Sequence, residues 1–192
     1  MSSLLELEKE FFEFSGQNYI SLGGFAPILE SCVLGMEKRD WILTGPRGRI
    51  SSLLRGASFQ HLLNNPNGSK NYKTAPSSKS SADRALHAVG LAISSKRPVL
   101  CVLGVSALGQ GSFFEALNIV AQQSLPVLFV LVTIDLSQAP LAKQLSCSPL
   151  SLAKNFGIET KSIAANPDKI KKLITYYRTQ NKPVCIEIQL EK

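Results

Sequence analysis

The sequence predicts an α/β fold, a parallel sheet flanked by helices on both faces. Three observations predict it. Val99–Leu103, Val127–Val132 and Pro183–Leu190 are largely continuous runs of Val, Ile, Leu, Phe and Cys, as expected of strands buried on both faces rather than one. Segments with helical spacing separate those runs. The chain has 192 residues, which fits one domain with a sizeable core. Residues 1–192 are read as a single domain with a helical arm at 1–20.

The elements follow in order. Residues 4–14 alternate acidic and apolar positions at helical spacing. Phe11, Phe12 and Phe14 give this helix an apolar face for the core or for another subunit. Residues 26–37 form a second helix, Trp41–Thr44 a short strand, and Gly45-Pro46-Arg47-Gly48 a turn by composition. Ala57–Leu63 is a short helix. Residues 64–81 (NNPNGSKNYKTAPSSKSS) hold almost nothing to bury and read as a flexible loop. Asp83–Ser95 is a helix with Ala85, Leu86, Val89 and Ile93 on one face. After the strand Val99–Leu103 and a turn at Gly109–Gly111, Ser112 is the expected cap of the helix Phe113–Ser124, with Glu115 as its capping-box partner. Leu125-Pro126 ends that helix and opens the strand Val127–Val132. Leu150–Phe156 is a helix stopped by Gly157, Glu159–Ile163 a strand, Pro167–Gln180 a helix with proline in its first turn, and Pro183–Leu190 the last strand. Ligands of such sheets bind at the carboxyl ends of the strands. Here those are the loops after Thr44, Leu103 and Val132.

Composition narrows the function. A hydrophobic content of 44% with 18% charged residues belongs to a folded globular protein. The longest apolar run, Leu125–Ile134, has about ten residues, too few to cross roughly 30 Å of hydrocarbon, so no membrane partner is expected. The acidic start MSSLLELEKEFFEF lacks the basic n-region of a secretory signal, and the chain is read as cytoplasmic. A net charge of +7 fits a solvated basic surface or an anionic partner. The basic residues are scattered and no nucleic-acid motif is present, so no nucleic-acid partner is expected. Cys32, Cys101, Cys147 and Cys185 show no metal or redox spacing and read as structural. Of the two histidines, His61 and His87, the second lies on a helix that should pack on the sheet. Ser106 has no His or Asp partner in a nucleophile elbow. The loop from Gly104 to Gly109 has no phosphate-loop spacing or lysine.

The segment GQGSFFEALNIVAQQSLPVLFVLV, residues 109–132, resembles the alpha subunit of the first component of 2-oxoacid dehydrogenase complexes, the pyruvate dehydrogenase type. Gln110, Gly111, Glu115, Ala116, Asn118, Leu125, Pro126 and Phe129 match that family. HAVGLAI at His87–Ile93 and ILTGPRGRISSLLRG at Ile42–Gly56 extend the likeness, which covers about 40–190. Arg47 falls on the arginine of the family's Tyr-Arg pair at the cofactor phosphate. Pro46 replaces the tyrosine, and Arg49 adds a nearby charge. Guanidinium groups grip phosphate in a bidentate manner, so Arg47 and Arg49 are candidate cofactor-binding residues.

The resemblance implies the thiamine-diphosphate-binding fold and, as cofactor, thiamine diphosphate held through Mg²⁺. It also implies oxidative decarboxylation of a 2-oxo acid, and a beta-type chain that supplies the pyrimidine-binding half. The family motif starts Gly-Asp-Gly after one strand and ends Asn-Asn after the next. Here the first triplet is Gly104-Val105-Ser106 and the second pair is Thr133-Ile134. Val105 and Ile134 thus stand where oxygen ligands of a hard cation belong, and neither side chain has an oxygen. No Mg²⁺ site and no catalytic residue are assigned. Asp135 follows one position late, and Ser106 offers only a hydroxyl. Three readings stand: a degenerate alpha-like subunit, in a homodimer or beside a beta-type chain; a working subunit in which Arg47 and Arg49 replace the metal's charge; and an anion- or nucleotide-binding module that reuses the cleft.

Overall fold

Five strands lie in one all-parallel sheet: β1 (Trp41–Leu43), β2 (Val99–Gly104), β3 (Val127–Thr133), β4 (Glu159–Ala164) and β5 (Val184–Gln189), in the order β1-β2-β3-β5-β4. The computed structural model describes residues 2–16, 21–45, 47–66, 68–75, 80–133 and 147–190, and gives Arg47 and Val105 by backbone alone. Among the described residues no helix is long and apolar enough to cross a membrane.

Helices cover both faces, as the unbroken strands require. On one face α1 (Leu4–Ser15), α2 (Ala26–Leu34) and α7 (Pro167–Gln180) pack over Leu100, Val102, Leu128, Val130, Val184 and Ile186. On the other, α4 (Asp83–Ser95), α5 (Gly111–Gln122) and α6 (Pro149–Asn155) pack over Val99, Cys101, Leu103, Val127, Phe129 and Leu131. Successive residues of β2 and β3 thus feed opposite layers, the two-residue period of a strand with both faces buried. At the centre of the second layer Phe113 meets Phe129 edge-on, with ring centroids 5.8 Å apart.

The arm is part of the first layer. Ser3 and Glu6 form a capping box, and Leu4 and Phe11 are buried. Phe11 packs edge-on against Phe59 of α3 (Phe59–Asn64), while Phe14 stays half exposed.

Four expectations are corrected. The buried face of α4 is Arg84, Ala85, Ala88, Val89 and Ala92, whereas Ile93 is exposed. The small alanines allow close packing of helix on strand, so they face the sheet together with Val89. His87 lies on the exposed side of the same helix. The cap of α5 falls at Gln110, with no side-chain capping bond, so Ser112 and Glu115 are inside the helix and form no capping box. The turn after β1 continues as a 3-10 segment over Arg47–Arg55. Within the polar stretch 64–81, residues 68–75 are tied down. Ile42 N–H donates to the Lys73 carbonyl at 2.9 Å, and Ala75 N–H to the Ile42 carbonyl at 3.0 Å. This segment therefore lines the outer edge of β1, and Arg55 Nη1 donates to the Tyr72 carbonyl at 3.2 Å.

The amino end of the sheet is closed by ions. Asp40 is fully buried. Its Oδ1 accepts from Arg97 Nη2 at 2.9 Å, and its Oδ2 accepts from Arg178 Nε at 2.6 Å and from the Glu37 amide at 3.1 Å. Arg55 Nη1 donates to the Asp40 carbonyl at 2.6 Å. One carboxylate so joins the start of β1, the segment before β2 and α7. The carboxyl end is left for ligands.

Candidate functional site

At the carboxyl end, β2 runs into a 3-10 turn, Val105–Ala107. Gly104 and Ser106 are exposed there. The Ser106 hydroxyl and carbonyl both have partners within the chain. Ser106 Oγ lies 3.1 Å from Ser81 Oγ, and the Ser106 carbonyl accepts from Gln110 Nε2 at 2.6 Å. Gln110 Oε1 accepts from Ser80 Oγ at 2.7 Å. The Gln-Gly turn of the resemblance therefore stitches the loop after β2 to the start of α4. Ile134 and Asp135, in the loop after β3, lie outside the described residues.

The described residues do not fit a divalent cation. A hard cation needs oxygen ligands, several of them charged. Ser106 offers one hydroxyl, already paired, and among the described residues no group of three His, Cys, Asp or Glu side chains stands close enough to share an ion.

A second feature lies on the other side of β1. The 3-10 segment, α3 and residues 68–75 border a shallow cleft open to solvent, of about 10 Å³, about the room of one water. Thr44, Gly45, Arg49, His61, Ser69 and Thr74 are among its walls, and no described Asp or Glu lines it. Neither Gly104 nor Ser106 is among its described walls. His61 Nε2 is 2.9 Å from Ser69 Oγ, and its ring stands edge-on to Tyr72 at 4.8 Å. Arg49 is half-buried, with its guanidinium 5.9 Å above the Phe11 ring, a cation–π contact that fixes the side chain against the arm. Thr44 Oγ1 donates to the Gly48 carbonyl at 2.9 Å and folds the turn back on itself. Of the residues expected to bind cofactor, the structure thus puts Arg49 in the cleft and Gly104 and Ser106 at the neighbouring mouth.

One residue that the sequence reading did not select stands between them. Arg84, in the first turn of α4, is 6% exposed. Its Nη1 donates to the Val102 carbonyl at 2.6 Å, past the point where β1 has ended. Its Nη2 lies against Gly45, where an added Cβ would come within 2.5 Å of it. Its Nε is buried without a hydrogen-bond partner, and no described carboxylate pairs with it. Burial lowers its pKa, partly offset by the nearby Cys101. The sequence carried a weak signal of this: an arginine at spacing i, i+4 with Ala88, on the face that packs on the sheet.

No protein-family model matches the sequence, and no curated protein matches it. Among solved structures, a transketolase from Campylobacter jejuni matches with a TM-score of 0.73 at 16% identity. The match covers 97% of this chain and 36% of that one. The fold is the thiamine-diphosphate-binding fold. At that identity the likeness is one of fold, and the chain spans about a third of the transketolase it matches. In the thiamine-diphosphate-binding fold of this chain, then, the exposed loop after β2 is tied to Ser81 and Gln110, and a small cleft lies across β1 from it.

Proposed function

We propose that the chain is a degenerate relative of the dehydrogenase alpha subunit that acts as a non-catalytic structural or regulatory partner, in a homodimer or beside a beta-type chain. The observation that carries this reading is the turn Gly104-Val105-Ser106. It has no carboxylate, and its hydroxyl and carbonyl are bonded to Ser81 and Gln110 rather than free for a metal. Ile134 removes the second ligand position of the same motif.

Calorimetric titration with thiamine diphosphate, with and without Mg²⁺, tests it. The wild-type chain is expected to show no Mg²⁺-dependent binding. Val105→Asp combined with Ile134→Asn is expected to create it, because the pair restores a carboxylate and an amide oxygen at the two positions. Tight Mg²⁺-dependent binding by the wild type would overturn the reading. Sedimentation of the purified chain then separates the homodimer from a monomer awaiting another subunit.

The second reading, a working subunit of a thiamine-diphosphate-dependent 2-oxoacid dehydrogenase, draws on Arg49 at the cleft and Arg47 in the same turn. Metal-free binding of thiamine diphosphate, as tight as in metal-loaded relatives, would favour it.

A further inference from the structure

We propose that the outer edge of β4 is a docking site for an acidic, extended segment of a partner protein, which joins the sheet as an added strand. The inference uses no residue of the turn after β2, so it stands apart from the metal reading.

The first observation is the edge itself. β4 pairs with β5 on one side, and among the described residues no strand pairs with its other side. The Ala165 amide donates to the Gln189 carbonyl at 3.0 Å. By the two-residue alternation of a strand, the backbone groups of Lys161 and Ile163 also turn to β5, and those of Thr160 and Ser162 turn outward. An open row of amides and carbonyls is a template for one more strand. The opposite edge of the sheet is different, because Lys73 and Ala75 bond to Ile42 of β1 there.

The second observation is charge. Residues 154–182 hold seven Lys or Arg against two Asp or Glu, a net +5 of the chain's +7. One of the two acids, Glu159, accepts the Tyr177 hydroxyl at 2.5 Å. Lys161 lies opposite Ile186 and so stands on the face that α7 covers. On α7, Ile174 lies against Gly35 at the end of α2, and Thr175 Oγ1 donates to the Gly35 carbonyl at 3.4 Å. Tyr177 reaches the start of β4 instead. Helical spacing then turns Lys169, Lys172 and Tyr176 away from α2, toward the side where β4 ends the sheet. All three are exposed, Tyr176 to 55%. Its ring offers an apolar contact to alternate side chains of an added strand.

Charge also decides the occupant. A second copy pairing β4 antiparallel to β4 would set Lys161, Lys169 and Lys172 of both copies against one another, and facing like charges destabilise a strand pair. A nucleic acid would meet the lysines but has no strand to pair with the alternating amides and carbonyls. An acidic strand satisfies both features. A lysine on an edge strand also guards against unwanted pairing, but a guard does not require lysines on the neighbouring helix.

The test is fluorescence anisotropy of the full chain with three labelled eight-residue peptides: Glu alternating with Val, Lys alternating with Val, and the first peptide with proline at two central positions. Saturable binding of the acidic peptide is expected, at least about tenfold tighter than either of the others. Lys172→Glu should weaken it at least about fivefold, because attraction becomes repulsion across a partly solvated contact. Lys70→Glu makes the same change of charge at an exposed position beside β1 and should alter it less than about twofold. Amide hydrogen exchange should slow at Thr160 and Ser162 in the complex, which separates strand addition from loose attraction. The proposal is overturned by no saturable binding of the acidic peptide, by equal binding of the proline peptide, or by equal loss in Lys172→Glu and Lys70→Glu. Tighter binding of an oligothymidylate with no slowing at Thr160 and Ser162 would assign the lysines to nucleic acid and also overturn it. So would a dimer of the chain that Thr160→Pro, checked for native circular dichroism, abolishes.

Discussion

Replacing Asp40 by alanine should destabilise the protein by about 3 kcal/mol. The carboxylate is fully buried and receives Arg97, Arg178 and the Glu37 amide. Deleting one member of a buried ion pair typically costs about 3–5 kcal/mol, because the partner is left charged and undersolvated. The lower end applies here for two reasons. The Arg97 side chain is 31% exposed, so water compensates part of its loss. Arg178, only 13% exposed, keeps Glu37 Oε1 at 2.6 Å. Asp40→Asn retains an oxygen acceptor and should cost less. For a chain of this length about 3 kcal/mol corresponds to a fall in Tm of about 6–12 °C. Urea unfolding followed by circular dichroism should show a lower midpoint with an unchanged slope. Arg178→Met should be strongly non-additive with Asp40→Ala, because both remove the same contact. A loss below about 1 kcal/mol for Asp40→Ala would refute the reasoning, since it would mean that the two arginines do not depend on that carboxylate.

Further outcomes follow from the same coordinates. Gly45→Ala forces a side chain into left-handed backbone and against Arg84, and should cost about 2 kcal/mol from the conformation alone; an unaltered Tm would contradict the packing. Among the cysteines, Cys147 is exposed and the other three are buried. A thiol reagent should therefore titrate one fast group in the native chain, and Cys147→Ser should remove it; two fast groups would show that the core opens. Burial pushes the Cys32 and Cys101 thiols from 9.0 up to about 12. Below pH 9 both states hold these protons. Between pH 9 and 12 only the folded state does, so stability should fall as pH rises through that window. Cys32→Ala should make the fall less steep, and an unchanged slope would contradict this assignment.

The core strands were legible because burial on both faces leaves a signature in composition. Val99–Leu103 and Val127–Val132 contain no polar residue, and each proved to be a central strand. The helix at Pro167 was legible from its proline start, and its Asn166 cap adds a side-chain bond to Lys169. What escaped depends on contacts distant in sequence. The orientation of α4 is set by closeness to the sheet, which favours Ala88 and Ala92 over Leu86 and Ile93; periodicity weighted by size selects the opposite. The order of residues 68–75 comes from the open edge of β1 and from Arg55, neither visible in a run of Asn, Ser and Lys. The cleft is assembled from residues between Thr44 and Ala75 that share no local pattern.

The two carboxyl-end features carry separate consequences, and that separation is itself testable. The turn after β2 is bonded to the start of α4 through Ser81 and Gln110, while the cleft uses the turn after β1 and the segment beyond it. Arg84 reaches toward both, through the Val102 carbonyl on one side and Gly45 on the other. Arg49→Gln should therefore leave untouched any Mg²⁺ dependence gained by Val105→Asp with Ile134→Asn. Arg84→Met should disturb the turn after β1 and the end of β2 together, because the guanidinium contacts both Gly45 and the Val102 carbonyl. If Arg49→Gln abolished the gained Mg²⁺ dependence, cleft and mouth would be parts of a single site.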